Sequence, residues 1–72
     1  MTTEERLALL EEVMELDEGE LNASDLLKEY EEWDSISILS FIAMMDSKFG
    51  KMISGEEVKA LQTVQDAIDL ME

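Results

Sequence analysis

A chain of 72 residues that contains neither cysteine nor histidine has to hold itself together by packing alone. A domain this small buries only about 60% of the surface its unfolded chain exposes. Comparable domains often make up the deficit with disulfides or a structural metal. Both routes are closed here, because there is no thiol to oxidise and neither thiolate nor imidazole to ligate zinc. The same absence removes Ser–His and Cys–His nucleophile pairs. Apolar packing is what remains. Hydrophobic residues make up 46% of the chain, enough for a folded core and too many for a disordered acidic tail.

Proline is absent, and the three glycines, Gly19, Gly50 and Gly55, divide the sequence. Ahead of Gly19, Leu7, Leu10 and Met14 recur at helical spacing, widened by Leu9, Val13 and Leu16. Glu11, Glu12 and Glu15 fall on the other side, and Thr2 and Glu5 have capping-box spacing. The pattern predicts an amphipathic helix over about residues 3–16, ending toward Gly19. Residues 17–33 carry no long period. Asn22-Ala23-Ser24-Asp25 offers turn and cap residues, and Leu26, Leu27 and Tyr30 could form one apolar helical turn. This reads as a long ordered loop enclosing a short helix, and loops of that length are uncommon unless they are functional. A calcium loop starting at Asp17 fails, since Gly19 would fall on a ligand position and Asn22 on the required glycine.

The second helix is expected from Ser35 to Phe49, stopped by Gly50. Ile38, Phe41, Ile42, Met45 and Phe49 share its core arc, with Leu39 beside them. The opposite arc, Ile36, Ser40, Ala43, Met44 and Ser47, is apolar or small and almost uncharged. A short helix follows at about 55–61, with Glu56 and Glu57 suited to the dipole in its first turn and Val58 and Leu61 inward. The last helix opens at Thr63, with Asp66 at cap-box spacing and Val64, Ile68 and Met71 as its stripe. The expected fold is all-α, a four-helix bundle of three main helices plus one short helix. A long loop joins helices 1 and 2, and one domain spans residues 1–72.

The formal charge is −14, from 19 acids against 5 bases. That argues against nucleic acid, whose phosphates are held by Lys and Arg, and against anionic membrane surfaces. It favours protein partners with basic patches, steered in by the field. TTEERLALLEE is unlike a signal peptide and no apolar run reaches membrane length, so a cytoplasmic monomer is expected. Acids spread over exposed helix faces read as solvated surface rather than a catalytic pair. No glycine-rich phosphate loop is present, and a chain of this size struggles to form a deep pocket. We expect no enzyme activity and no metal site.

Asp-Ser occurs twice, at Asp34-Ser35 and Asp46-Ser47, so the dipeptide alone says nothing. Their places differ. Ser47 falls late in the second helix, whereas Ser35 falls where that helix begins, beside free backbone N–H groups and the positive end of the dipole. A phosphate ester would be well placed there. The plainer reading is that Asp34 or Ser35 is simply the N-cap.

From Asp34 onward the chain resembles the acyl carrier proteins. Asp34-Ser35-Ile36 matches the family's Asp-Ser-Leu/Ile at the head of the second helix. Thr63-Val64-Gln65-Asp66-Ala67-Ile68 matches its closing motif, with no gap between the two. The first helix and long loop also fit, so the resemblance covers essentially the whole chain. It implies that Ser35 is esterified by 4′-phosphopantetheine, donated from coenzyme A by a Mg-dependent phosphopantetheinyl transferase, with Asp34 and Ile36 flanking the attachment point. The arm's thiol would carry acyl groups as thioesters in fatty-acid, lipid or secondary-metabolite biosynthesis, serving acyl-loading and acyl-using enzymes with basic patches. Ile36, Ser40, Met44, Glu56 and Glu57 are the expected partner contacts. Phe41, Ile42, Met45, Val58, Leu61 and Ile68 would line a transient acyl-chain cavity.

The chain departs from the family's common pattern in two places. Asp46 is the only acid along a second helix that usually has several, with Ser37, Ser40, Ala43, Met44 and Ser47 at the exposed or flanking positions. Trp33 stands where a small residue usually precedes the Asp, and could either cap the loop against the core or contact a partner. Both departures suggest a specialised stand-alone carrier serving a dedicated pathway. A peptidyl or aminoacyl carrier is the first alternative. An acidic helical adaptor that never receives the arm is the second.

Overall fold

The computed structural model describes residues 2–71. Four helices form: α1 (Thr3–Val13), α2 (Ser35–Phe49), α3 (Gly55–Lys59) and α4 (Val64–Leu70), with one 3₁₀ turn, Leu27–Glu29, in the connection between α1 and α2. α2 packs against α1 and α3, and α1 also packs against α4. The all-α expectation holds. Among the described residues, β pairing is limited to one isolated antiparallel bridge between Leu26 and Thr63.

The helix starts follow from their caps. The Thr2 hydroxyl accepts the Glu5 N–H at 3.1 Å while the Glu5 carboxylate accepts the Thr2 N–H at 3.0 Å. Thr63 and Asp66 repeat this reciprocal box at α4, each bond at 3.1 Å. At α3 the cap is Ser54, whose hydroxyl accepts the Glu57 N–H at 3.1 Å.

α1 stops at Val13, three residues short of the expected end. Glu15 turns left-handed, at φ 58°. Its N–H reaches back to the Glu12 carbonyl at 3.1 Å, and the Leu16 N–H reaches the Glu11 carbonyl at 2.8 Å. This bond pair is a Schellman ending built on glutamate instead of glycine. The apolar period runs on through Leu16 because the ending turns Leu16 back against the core, where it is half-buried.

Leu10, Met14, Phe41, Met45, Val58, Val64, Ala67, Ile68 and Met71 form the buried centre, joined by Leu21 and Leu27 from the long connection. Trp33 is half-buried against this core, edge-on to Phe41 with ring centroids 5.9 Å apart. Packing therefore gives Trp33 a place in the fold, as a lid over the loop's end.

Two residues depart from their expected faces. Leu39, placed beside the core stripe, is 68% exposed. Its neighbours on the arc, Ile38 and Ile42, are only half-buried, so burial on α2 is narrower than the apolar arc and centres on Phe41 and Met45. Glu11, placed on the outer side of α1, is 4% exposed. Its carboxylate accepts two backbone N–H groups of the loop, which offsets the cost of burying it.

The long connection is tied to α4 rather than free. The Val64 N–H donates to the Asp25 carbonyl at 2.9 Å and the Gln65 N–H to the Ala23 carbonyl at 3.0 Å. Loop carbonyls thereby satisfy donors that the start of α4 would otherwise leave unpaired. Leu27 N–H completes the seam at the Gln62 carbonyl, 2.9 Å away. The segment leading to Ser35 is thus fixed at its middle to the closing helix.

Candidate functional site

The head of α2 is built by Asp34. It is the N-cap, with extended backbone, and its Oδ1 accepts the N–H of Ile36 at 3.1 Å and of Ser37 at 3.0 Å. These bonds, led by that from the Ser37 N–H, hold the Asp34 carboxyl below its ordinary range. Ser35 is the first helical residue and is exposed. The capping question is therefore resolved in favour of Asp34, which leaves the Ser35 hydroxyl clear of the cap.

One expectation about this end needs correcting. The first-turn N–H groups of Ile36 and Ser37 are not free to cradle a phosphate, because Asp34 already takes both.

Ser37, expected at an exposed or flanking position, is 5% exposed. Its hydroxyl donates to the Glu32 carbonyl oxygen and lies 3.2 Å from Asp34 Oδ1. It ties the residues before Ser35 to the first turn after it. The spacing Asp34-x-x-Ser37 carried that signal, since N-cap and N3 side chains meet at helix starts.

Of the expected partner contacts, Ile36 is 73% exposed, Ser40 is exposed and Met44 is half-buried against the core. Glu56 and Glu57 are exposed in the first turn of α3. Leu39, four residues on from Ser35 and three from Ile36, joins Ile36 on the exposed surface, and periodicity alone had turned it inward. Asp46-Ser47 is exposed near the far end of α2 and caps nothing. The six residues expected around an acyl cavity do not enclose one in this state. Phe41, Met45, Val58 and Ile68 are fully packed, while Ile42 and Leu61 are half-buried.

Among the described residues, no helix is long and apolar enough to cross a membrane. Among the described residues, no group of three or more acids is placed to hold a metal ion.

The model of the family described as "Phosphopantetheine attachment site" matches residues 7–71. The acyl carrier protein of Micrococcus luteus is 38% identical over 96% of this chain and 90% of its own length. That of Myxococcus xanthus is 39% identical over 94% of this chain and 91% of its own. The acyl carrier protein of an Arthrobacter species is 38% identical over 93% of this chain and 74% of its own. No solved structure gives a significant match. With the family's model spanning nearly the whole chain, and these relatives matching more than nine-tenths of it, the chain belongs to the phosphopantetheine-attachment family of acyl carrier proteins.

Proposed function

We propose that this chain is one carrier domain whose Ser35 is the attachment residue, serving a dedicated fatty-acid, lipid or secondary-metabolite pathway in the cytoplasm. Family membership brings with it a covalently attached 4′-phosphopantetheine and a carrier rather than an enzymatic role. When bound, that group supplies the thiol on which acyl groups ride as thioesters, a thiol this cysteine-free chain lacks. The residues present suit it: Ser35 is exposed at the start of a rigid helix, and its neighbour Asp34 is committed to capping. That geometry is the observation that carries the reading, since it distinguishes Ser35 from Ser47.

The chain's own residues then divide the work. Asp34 and Ser37 fix the backbone around the attachment point. Ile36 and Leu39 offer exposed apolar anchors to the transferase and to acyl-handling enzymes. Glu31, Glu32, Glu56 and Glu57 present exposed acidic charge to basic partner surfaces. The almost uncharged outer face of α2, a helix in which Asp46 is the only acid, supports a specialised role and keeps an aminoacyl cargo as the second reading.

The test is intact mass after incubation with coenzyme A and a broad-specificity phosphopantetheinyl transferase. A single phosphopantetheine addition, abolished by Ser35→Ala and retained by Ser47→Ala, is expected. No addition, or one that survives Ser35→Ala, rejects the assignment.

A further inference from the structure

The fully packed state of Phe41, Met45, Val58 and Ile68 leaves open where an arm on Ser35 would rest between deliveries. A concave surface begins at the two chain neighbours of Ser35, Asp34 and Ile36. A hollow of about 220 Å³ is lined by Asp34, Ile36 and Ser37 at the head of α2 and by Val13, Met14 and Glu15 at the end of α1. It shares Val13, Glu15 and Ser40 with a second groove of about 390 Å³, which continues between α1 and α2. The floor and walls of that second stretch include Leu9, Val13, Ala43 and Met44, with the hydroxyls of Ser40 and Ser47 along one side.

From Ser35 to Ser47, α2 advances about 18 Å, at roughly 1.5 Å per residue. The shape suits an extended chain better than a compact ligand. Its volume lies in the range of small-molecule sites, which combine apolar walls with a few polar groups. The walls offer apolar side chains for the methyl and methylene groups of a pantetheine chain, and the Ser40 and Ser47 hydroxyls for its amides. The groove also explains why the outer face of α2 is small and almost uncharged: Ser40, Ala43 and Ser47 leave room that acidic side chains would fill.

Resting on the assignment of Ser35, we propose that the α1–α2 groove is the resting site of the phosphopantetheine arm and the cargo it carries. The rim adds selectivity. Glu12 and Glu15 face the groove and Lys48 is the one cation in its lining, so the site takes neutral or cationic acyl groups and repels carboxylate-bearing ones.

Methyl NMR spectra of the apo, phosphopantetheinylated and acylated protein test this. Shifts concentrated at Leu9, Val13, Ala43 and Met44 are expected. Shifts confined to Val58, Leu61 and Ile68, or no shifts beyond Ser35's immediate neighbours, overturn it. A second arm fills the groove with Ala43→Trp, at an exposed position outside the core and the attachment turn. Loading measured by mass should be unchanged, while alkylation of the arm's thiol by a neutral maleimide should quicken several-fold. An unchanged alkylation rate on fully loaded protein overturns the groove alone. Failure of wild-type protein to load overturns the Ser35 assignment together with it.

Discussion

The Glu11 carboxylate accepts the Leu21 backbone N–H at 3.0 Å, joining α1 to the connection ten residues later. The same oxygen accepts the Gly19 N–H at 2.8 Å. Glu11→Ala leaves a buried donor at Leu21 and a half-buried one at Gly19 without partners. At about 1–3 kcal/mol for an orphaned buried donor, the expected loss is about 2–3 kcal/mol. That is a large share of the ~5–15 kcal/mol that holds small domains folded. Glu11→Gln keeps an oxygen acceptor and should lose less. Urea denaturation of the three proteins checks the order, and a Glu11→Ala midpoint equal to wild type would contradict it.

The contrast between Glu11 and Phe41 shows what the sequence could convey. Helical period locates Phe41, Met45, Val64 and Ile68 at the core because burial of apolar groups repeats with the backbone turn. It assigns Glu11 to solvent for the same reason, since a side chain's hydrogen bonds to a distant loop leave no periodic trace. The end of α1 was hidden similarly: a left-handed Glu15 does what glycine usually does, so Gly19 drew the prediction too far. At the candidate site, Asp34, Ser35 and Ile36 were legible as a motif at a helix start. Ser37's burial was not, because it depends on the path of Glu32 and Trp33, and Leu39's exposure was not, because α2 has neighbours on only part of its apolar arc.

The capping carboxylates give the fold an acid limit. Asp34 is held below 3.8 chiefly by the Ser37 N–H, and Asp66 below 3.8 chiefly by the Thr63 N–H. Glu5 is held below 4.5 chiefly by the Thr2 N–H. Each folded-state value is depressed, so each contribution is complete above the unfolded value and is lost as pH falls through the folded one. A double variant, Asp34→Asn with Asp66→Asn, keeps capping oxygens but cannot titrate. It should be less stable than wild type at neutral pH, and the gap should close as pH drops below 3.8. Urea midpoints on both sides of that value test this, and a gap that widens with acid would refute the capping account.

At the alkaline end, Tyr30 is the reporter. Its hydroxyl donates to Asp25 Oδ2 at 2.6 Å, and that bond is the main cause pushing its pKa from 10.0 to about 12. The neutral phenol is the form the fold prefers. Its contribution is therefore whole below pH 10.0 and disappears as pH rises through about 12. Tyrosinate absorbance, from the chain's single tyrosine, should titrate near 12 in the native protein. It should move toward 10.0 in Asp25→Asn, where the acceptor loses its charge, and an Asp25→Asn curve that overlays wild type would rule out this pairing.

Charge sets a final condition on stability. The described residues span 26 × 25 × 18 Å, while the screening length is about 30 Å at 0.01 M salt and about 10 Å at 0.1 M. At the lower salt every carboxylate therefore acts on every other across the whole molecule. At the higher salt only near neighbours remain coupled. With 19 acids against 5 bases, the long-range part of that coupling is repulsive and opposes the compact state. The close, mostly hydrogen-bonded capping contacts at Thr2, Asp34 and Thr63 are screened far less than this diffuse repulsion. Raising salt from 0.01 to about 0.1 M should accordingly raise the melting temperature. Circular dichroism melts across that range decide the balance: a falling melting temperature would mean that attraction among the few cations outweighs the repulsion among the acids.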